Sequence, residues 1–157
     1  MATLEEVFSV VNTKFRIFSL NEQQKAGIKE MVENSKHVFV NLPTGFGKSL
    51  LYQALPLVFD LTSQEPGHIV IVVSPLISLM DDQVSRLNEL GFKAVNISAI
   101  EEEEQRILAE SGGYSHVYGS PEAWLKNTRW RAMLTNTVYQ KKLCAIAVDE
   151  AHVIRQW

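Results

Sequence analysis

Two apolar runs constrain the fold of this chain most, Ile69–Val73 (IVIVV) and Leu143–Val148 (LCAIAV). Runs of this length that do not alternate with polar residues are typical of strands buried on both faces of a sheet. Segments with helical spacing lie before, between and after further short apolar runs. This alternation predicts one α/β domain, in which a parallel sheet carries helices on both faces.

The other predicted elements follow the same alternation. Thr3 with Glu6, and Asn21 with Gln24, have the spacing of capping boxes, which predicts two helices near the N-terminus. Further strands are predicted at 37–42, 93–97 and 116–118. Further helices are predicted at 48–59, at 76–90, from about Glu101 with Ser98 as its cap, and from Pro121 to Lys126.

A glycine-containing segment connects the predicted strand 37–42 to the helix after it. Its residues are Leu42, Pro43, Thr44, Gly45, Phe46, Gly47, Lys48 and Ser49. Glycines let successive N–H groups point at one anion, and the helix N-terminus adds positive potential. Lys48 can reach the β- and γ-phosphates of a nucleotide, and the Ser49 hydroxyl can hold Mg²⁺. The strict pattern has Gly at position 42, so a glycine-rich turn before an ordinary helix is the alternative.

An acidic segment follows the last predicted strand. Asp149 and Glu150 are adjacent carboxylates that repel each other, and a Mg²⁺ ion would relieve this repulsion. Asp149 is predicted to hold the ion, and Glu150 to orient and deprotonate the attacking water. His152 is predicted to couple the site to neighbouring elements. A solvated acidic turn is the alternative, and the phosphate-binding pattern upstream makes it the weaker one.

Composition limits the class of protein only broadly. A net charge of −3 gives no overall basic field for nucleic acid, although a local groove would suffice. Cys144, the single cysteine, is predicted to be a small core residue, which excludes an internal disulfide framework. No secretory signal or membrane-spanning run is visible, so we expect a reducing compartment, nucleus or cytoplasm, and no membrane partner.

At these residues the chain resembles the RecQ-like DNA helicases of superfamily 2, of the DEAH-box type. Residues 149–152 (DEAH) are the box itself, and 42–56 (LPTGFGKSLLYQALP) is similar to the family's phosphate loop. The family uses Pro-Thr-Gly there, which accounts for Leu42. Residues 73–84 (VSPLISLMDDQV) and 120–122 (SPE) are similar to two motifs that lie along single-stranded DNA in the family.

The resemblance implies a RecA-like P-loop fold, with ATP and Mg²⁺ as cofactors. It implies that Glu150 and Lys48 are catalytic and that Gln24, or the adjacent Gln23, reads adenine. The DNA-contacting residues that it implies are Ser74, Pro75, Ser120 and Pro121. Gln156 and Trp157 are similar to the start of an aromatic-rich loop that couples DNA to hydrolysis. Arg155 replaces the small Ser that is usual in this loop, and we expect this to alter the coupling between DNA and hydrolysis.

The resemblance also implies that the first motor domain continues beyond position 157 and that a second motor domain closes over the nucleotide. We therefore expect residues 1–157 to be one incomplete RecA-like domain, the N-terminal part of a 3′–5′ helicase acting on single-stranded or forked DNA. Alone it is expected to bind nucleotide weakly, to hydrolyse it slowly and not to unwind DNA. Two alternatives remain: a non-catalytic module that binds nucleotide or a partner, and another superfamily 2 ATPase such as an RNA helicase.

Several side chains have two readings. Trp124, Trp130 and Tyr139 could stack on bases, but core or surface packing is favoured. A small basic cluster of Lys126, Arg129 and Arg131 could meet phosphate, but a solvated face is favoured. Polar positions in the segment 74–83 are predicted to be helix caps or solvated, and they include Ser78, Asp82 and Gln83.

Overall fold

The computed structural model describes residues 3–34, 38–41 and 48–148. Five parallel strands form one sheet in the order β1-β5-β2-β4-β3. The strands are β1 (Val38–Asn41), β2 (Ile69–Val73), β3 (Ala94–Asn96), β4 (His116–Gly119) and β5 (Leu143–Val148). The helices in this part of the chain are α1 (Leu4–Phe15), α2 (Glu22–Asn34), α3 (Lys48–Gln53), α4 (Leu55–Ser63), α5 (Ile77–Glu89), α6 (Glu103–Glu110), α7 (Pro121–Lys126), α8 (Thr128–Leu134) and α9 (Thr137–Lys142). The predicted parallel α/β architecture is confirmed.

The first two helices begin where the capping pattern predicts. The Glu6 N–H donates to Thr3 Oγ1 at 3.2 Å, which satisfies one of the free donors at the start of α1. Val7, Val11 and Phe15 lie on one face of α1 and are buried. In this way the cap and the apolar spacing fix both the start of the helix and the face that it turns to the core.

Side chains on the two faces of the sheet belong to two separate cores. Val70 and Val72 of β2 point to the face covered by α1–α5, and their cluster includes Tyr52 and Tyr118. Ile69 and Ile71 alternate with them and join the cluster under α6–α9. Within that second cluster Trp124, Trp130 and Tyr139 are buried, so of the two favoured kinds of packing, core and surface, these three have core packing. Cys144 is buried too, as predicted.

Two predictions differ from the structure, and two helices were not predicted. The helix predicted at 48–59 is two helices, α3 and α4, because Pro56 has no N–H to continue the ladder. Ser98 does not cap the following helix: it lies in a 3₁₀ turn, Ile97–Ala99, and the N-cap of α6 is Glu102. Two short helices, α8 and α9, lie where no element was predicted. Over the residues that the structure describes, none of the helices has the length and apolar character to span a membrane.

Candidate functional site

The carboxyl ends of the strands lie along one edge of the sheet. Asn41, the last residue of β1, is the register partner of Val148, the last residue of β5. Val148 is in turn the partner of Val73 in β2, and Val73 is the partner of Gly119 in β4. The segments that follow these residues therefore leave the sheet from neighbouring positions. In open parallel sheets, ligands bind at this edge.

The two predicted nucleotide segments follow Asn41 and Val148 directly. Most of their residues lie outside the described part of the chain: Leu42, Pro43, Thr44, Gly45, Phe46, Gly47, Asp149, Glu150, His152, Gln156 and Trp157. Their roles stay predictions. Lys48 and Ser49 are the first two residues of α3, so the helix begins at the position that the phosphate-binding pattern requires.

Gln24 lies in the first turn of α2. Its backbone N–H donates to Asn21 Oδ1 at 2.7 Å, and its side-chain Oε1 accepts from the Asn21 N–H at 2.9 Å. This reciprocal pair confirms the capping box at 21–24. In this arrangement the Gln24 carboxamide oxygen is engaged with the start of its own helix, and the adenine contact stays a prediction.

The residues predicted to contact DNA lie at the ends of β2 and β4. Ser74 is buried: its N–H donates to the Gly119 carbonyl at 3.1 Å, and its Oγ accepts from the Leu76 N–H at 3.3 Å. Ser120 caps α7 through its Oγ, which accepts from the Ala123 N–H. Pro75 follows Ser74 and is half-buried, and Pro121 is buried at the start of α7. The structure thus brings Ser74 and Ser120 to adjacent strand ends, while their contact with DNA stays a prediction.

A polar cleft of about 490 Å³ opens beside Ser120. Its lining residues are Ile97, Ser98, Ile100, Arg106, Ser120, Ala123, Asn127, Arg129 and Trp130. The Ser120 N–H donates to Ser98 Oγ at 2.9 Å, which ties the turn after β3 to the start of α7. Sequence reasoning missed Ser98 and Asn127 as lining residues, because each reads locally as an ordinary capping residue.

The arginines at this cleft are paired with carboxylates. Arg129 Nη2 lies 2.7 Å from one Glu103 oxygen and 2.5 Å from Glu110 Oε1, and Arg106 lies 3.5 Å from Glu103. The hydrogen bond from Arg129 holds the pKa of Glu103 below its usual value. The Arg129 side chain stays 32% exposed, in keeping with the favoured interpretation of a solvated face, and α8 also carries it onto α6, where it pairs with Glu103 and Glu110.

Three buried side chains, Tyr52, Gln53 and Tyr118, and the half-buried Gln83 form what we call the buried polar network. Gln83 Oε1 accepts from Tyr118 Oη at 2.7 Å, from Tyr52 Oη at 2.9 Å and from Gln53 Nε2 at 3.1 Å. Gln53 Nε2 also donates to Tyr118 Oη at 3.0 Å. The expectation that Gln83 is solvated is corrected here, because its side chain turns from α5 toward α3 and β4.

His116 extends the network to the backbone of α3. Its Nε2 lies 2.7 Å from the Gln53 carbonyl oxygen, which is an acceptor, so Nε2 carries the proton. The ring is fully buried, and burial lowers the pKa of His116 to about 4, with the bond to Gln53 opposing the shift. The neutral imidazole thus attaches the C-terminal end of α3 to β4.

Metal-binding side chains do not cluster among the residues described. Within 3–34, 38–41 and 48–148, no group of three or more His, Cys, Asp or Glu side chains is placed to hold an ion.

Comparison with known proteins assigns the family. A sequence profile of the DEAD/DEAH box helicases matches residues 21–157. The ATP-dependent DNA helicase RecQ of Haemophilus influenzae is 36% identical, over 95% of this chain and 23% of that protein. The ATP-dependent helicase SGS1 of Saccharomyces cerevisiae is also 36% identical, over 98% of this chain and 11% of its own length. The chain thus spans less than a quarter of these relatives.

A solved structure agrees on the fold. The DUF1998 helicase MrfA, in its crystal structure bound to DNA, matches 95% of this chain and 27% of its own with a TM-score of 0.61. At 15% identity this likeness supports the helicase motor fold alone. With the sequence profile over 21–157, it leads to one assignment: the chain belongs to the DEAD/DEAH box helicase family and is similar within it to the RecQ-type enzymes.

Proposed function

We propose that this chain is the ATP-binding part of the first motor domain of a RecQ-like DNA helicase, an enzyme that couples ATP hydrolysis to DNA unwinding. The nucleotide would bind at the carboxyl edge of the sheet, between the segment after β1 and the segment after β5. Single-stranded DNA would pass along the neighbouring ends of β2 and β4. Such an enzyme works inside the cell, in the nucleus or cytoplasm.

One observation carries the proposal. Asn41 and Val148 are register partners, so the last described residues before the phosphate-binding pattern and before the DEAH box lie side by side. A phosphate loop needs its acidic partner within reach of the same phosphates, and adjacent parallel strands supply that geometry. Either motif alone would be a weaker sign, since a glycine-rich turn or an acidic turn is common by itself.

Mg²⁺ is the metal that the proposed site would use. Its donors would be the Ser49 hydroxyl, on the first turn of α3, and the Asp149 carboxylate, since oxygen ligands suit this hard cation. Bound there, the ion would neutralise charge on the β- and γ-phosphates. Lys48 would hold the same phosphates as a point charge, and Glu150 would orient the attacking water.

The DNA side of the proposal draws on the polar cleft beside Ser120. Hydroxyl and amide groups such as those of Ser98, Ser120 and Asn127 are typical partners of backbone phosphate, which fixes the register of a strand without reading its sequence. The paired arginines leave little free positive charge there. We therefore expect modest affinity for DNA from this chain alone.

Nucleotide binding is tested with a fluorescent ATP analogue in the presence of Mg²⁺. Lys48→Ala is expected to weaken binding strongly, because it removes the side chain that meets the phosphates. Lys141→Ala is the matched control: Lys141 is exposed on α9, at the opposite end of the strands. Equal affinity in the parent chain and Lys48→Ala would mean that the nucleotide does not bind at the proposed site.

The polynucleotide is identified by a second binding measurement. Oligo-dT and oligo-U of equal length are compared at one salt concentration, because phosphate contacts make affinity depend on salt. The DNA helicase proposal expects oligo-dT to bind at least as well as oligo-U. A clear preference for oligo-U would favour an RNA helicase, and binding of neither would favour a module that acts through nucleotide or protein alone.

A further inference from the structure

The buried polar network joins three elements that the proposed function places on two different ligands. Tyr52 and Gln53 belong to α3, which begins with Lys48 at the nucleotide side. Gln83 belongs to α5 and Tyr118 to β4, the elements that adjoin the DNA-side segments. All of these side chains meet at one atom, Gln83 Oε1.

The burial of this network makes its geometry restrictive. Tyr52 and Tyr118 are each 1% exposed and Gln53 is 7% exposed, so their polar groups have little access to water. A buried hydroxyl or amide that loses its partner costs the full desolvation penalty, which makes alternative arrangements unfavourable. A movement of α5 or β4 would therefore either break these hydrogen bonds or displace α3 with it.

A second hydrogen bond attaches α3 to β4. The ladder of α3 ends at Gln53, and the carbonyl left free there accepts from His116 at 2.7 Å. Gln53 thus bonds to β4 through both its backbone and its side chain, the latter at Tyr118 Oη. The helix that starts at the predicted phosphate site is held at its far end by the strand that leads to Ser120.

We propose that Gln83 is a positioning residue: its carboxamide oxygen links α3 to the DNA-side elements α5 and β4, so that DNA binding changes nucleotide affinity through the buried polar network. This inference rests on the proposed function, since it presumes that both ligands bind. Gln83 touches neither ligand in this role. By linkage, nucleotide must change DNA affinity by the same factor.

The test measures nucleotide affinity with and without saturating oligo-dT, using the full 157-residue chain and a fluorescent ATP analogue with Mg²⁺. The parent chain is expected to show a ratio of the two dissociation constants of about 5-fold or more. Gln83→Met keeps the length of the side chain and removes the acceptor, so the ratio is expected to fall to one. Tyr118→Phe removes a single hydroxyl from the network and is expected to act in the same direction.

Two controls separate positioning from general loss of stability. Gln83→Glu keeps acceptor oxygens at the same place and is expected to restore the ratio. Tyr139→Phe also removes one buried hydroxyl, which donates to the Ala109 carbonyl at 2.7 Å in the other core. It is expected to lower stability and leave the ratio unchanged.

The outcomes distinguish the inference from the proposed function. If Gln83→Met and Tyr118→Phe bind both ligands with the parent ratio, the inference is overturned. The same holds if the parent chain binds both ligands and neither affects the other, and the proposed function then stands. If the parent chain binds no nucleotide, the proposed function fails first and the inference falls with it.

Discussion

The two faces of the sheet are built in different ways. The face under α1–α5 buries polar side chains among its apolar ones, and they are joined by hydrogen bonds around Gln83 and His116. The face under α6–α9 is closed by large apolar side chains such as Trp124 and Trp130, with the ion pairs of Arg129 at its margin. Successive strand residues point alternately to the two faces, so the same strands contribute side chains to both cores.

This difference separates two tasks. Apolar packing is favourable in many arrangements of similar volume, so it stabilises the fold without fixing every position. A buried hydrogen-bonded network is favourable in few arrangements, since each unmade bond is costly. The face that adjoins the proposed nucleotide site therefore has the more restrictive chemistry, and the opposite face supplies bulk stability.

The largest expected loss of stability comes from a substitution on the apolar face. Trp130 is 3% exposed, and Trp130→Ala is expected to destabilise the chain by roughly 3–5 kcal/mol through lost burial and a cavity. Urea unfolding, analysed at constant m value, measures this cost. Tyr118→Phe on the polar face is expected to cost only about 1 kcal/mol. If the two substitutions cost the same, the proposed division of tasks between the faces is wrong.

The next effect tests the polar face through pH. The folded state holds His116 neutral with a pKa of about 4, against 6.5 in the unfolded chain, because the ring is buried. The unfolded state therefore takes up a proton first, and stability falls as pH drops from 6.5 toward 4, by roughly 3 kcal/mol in total. Above pH 6.5 this residue adds no pH dependence.

His116→Gln is the matched variant for this prediction. Glutamine can place an N–H near the position of Nε2 and keep the bond to the Gln53 carbonyl, and it does not titrate. Urea unfolding at several pH values between 4 and 7 is expected to give a shallower slope for His116→Gln than for the parent chain. Equal slopes would mean that other groups dominate the acid response and that His116 is not held neutral by the fold.

The smallest effect is expected at the margin of the apolar face. Arg129→Met removes the ion pairs to Glu103 and Glu110, whose side chains are partly exposed. Exposed pairs contribute little and are screened by salt, so the loss is expected to be smaller than the two above and to shrink further at high ionic strength. A double-mutant cycle with Glu103→Gln measures the pair itself. A large loss that salt does not change would show that these pairs hold α6 and α8 together.

Much of the fold follows from local sequence patterns. The continuous apolar runs predict β2 and β5 with their observed bounds, because both strands are central in the sheet and buried on both faces. The helix predicted from Pro121 to Lys126 is likewise confirmed as α7. Patterns fail where elements are short: α8 and α9 have seven and six residues, too few for helical periodicity to stand out.

The site was less predictable for a different reason. Both motifs can be recognised in the sequence, but only the strand order shows that β1 and β5, the strands that precede them, are neighbours in the sheet. The inward turn of Gln83 depends on partners 30, 31 and 35 residues away in the chain. The residues around Gln83 on α5 do not indicate these partners, so the sequence alone predicts a solvated polar residue on a surface helix.

The break between α3 and α4 has a consequence for redesign of this region. A helix-favouring residue in place of Pro56 would allow one continuous helix, and scales of helix propensity would rank the change as an improvement. A continuous ladder would claim the Gln53 carbonyl, which now accepts from His116. Local helix stability and attachment of the helix to the sheet therefore oppose each other at this proline. A variant with one continuous helix is expected to lose the bond to His116, so that α3, which begins at the predicted phosphate site, is attached less firmly to β4.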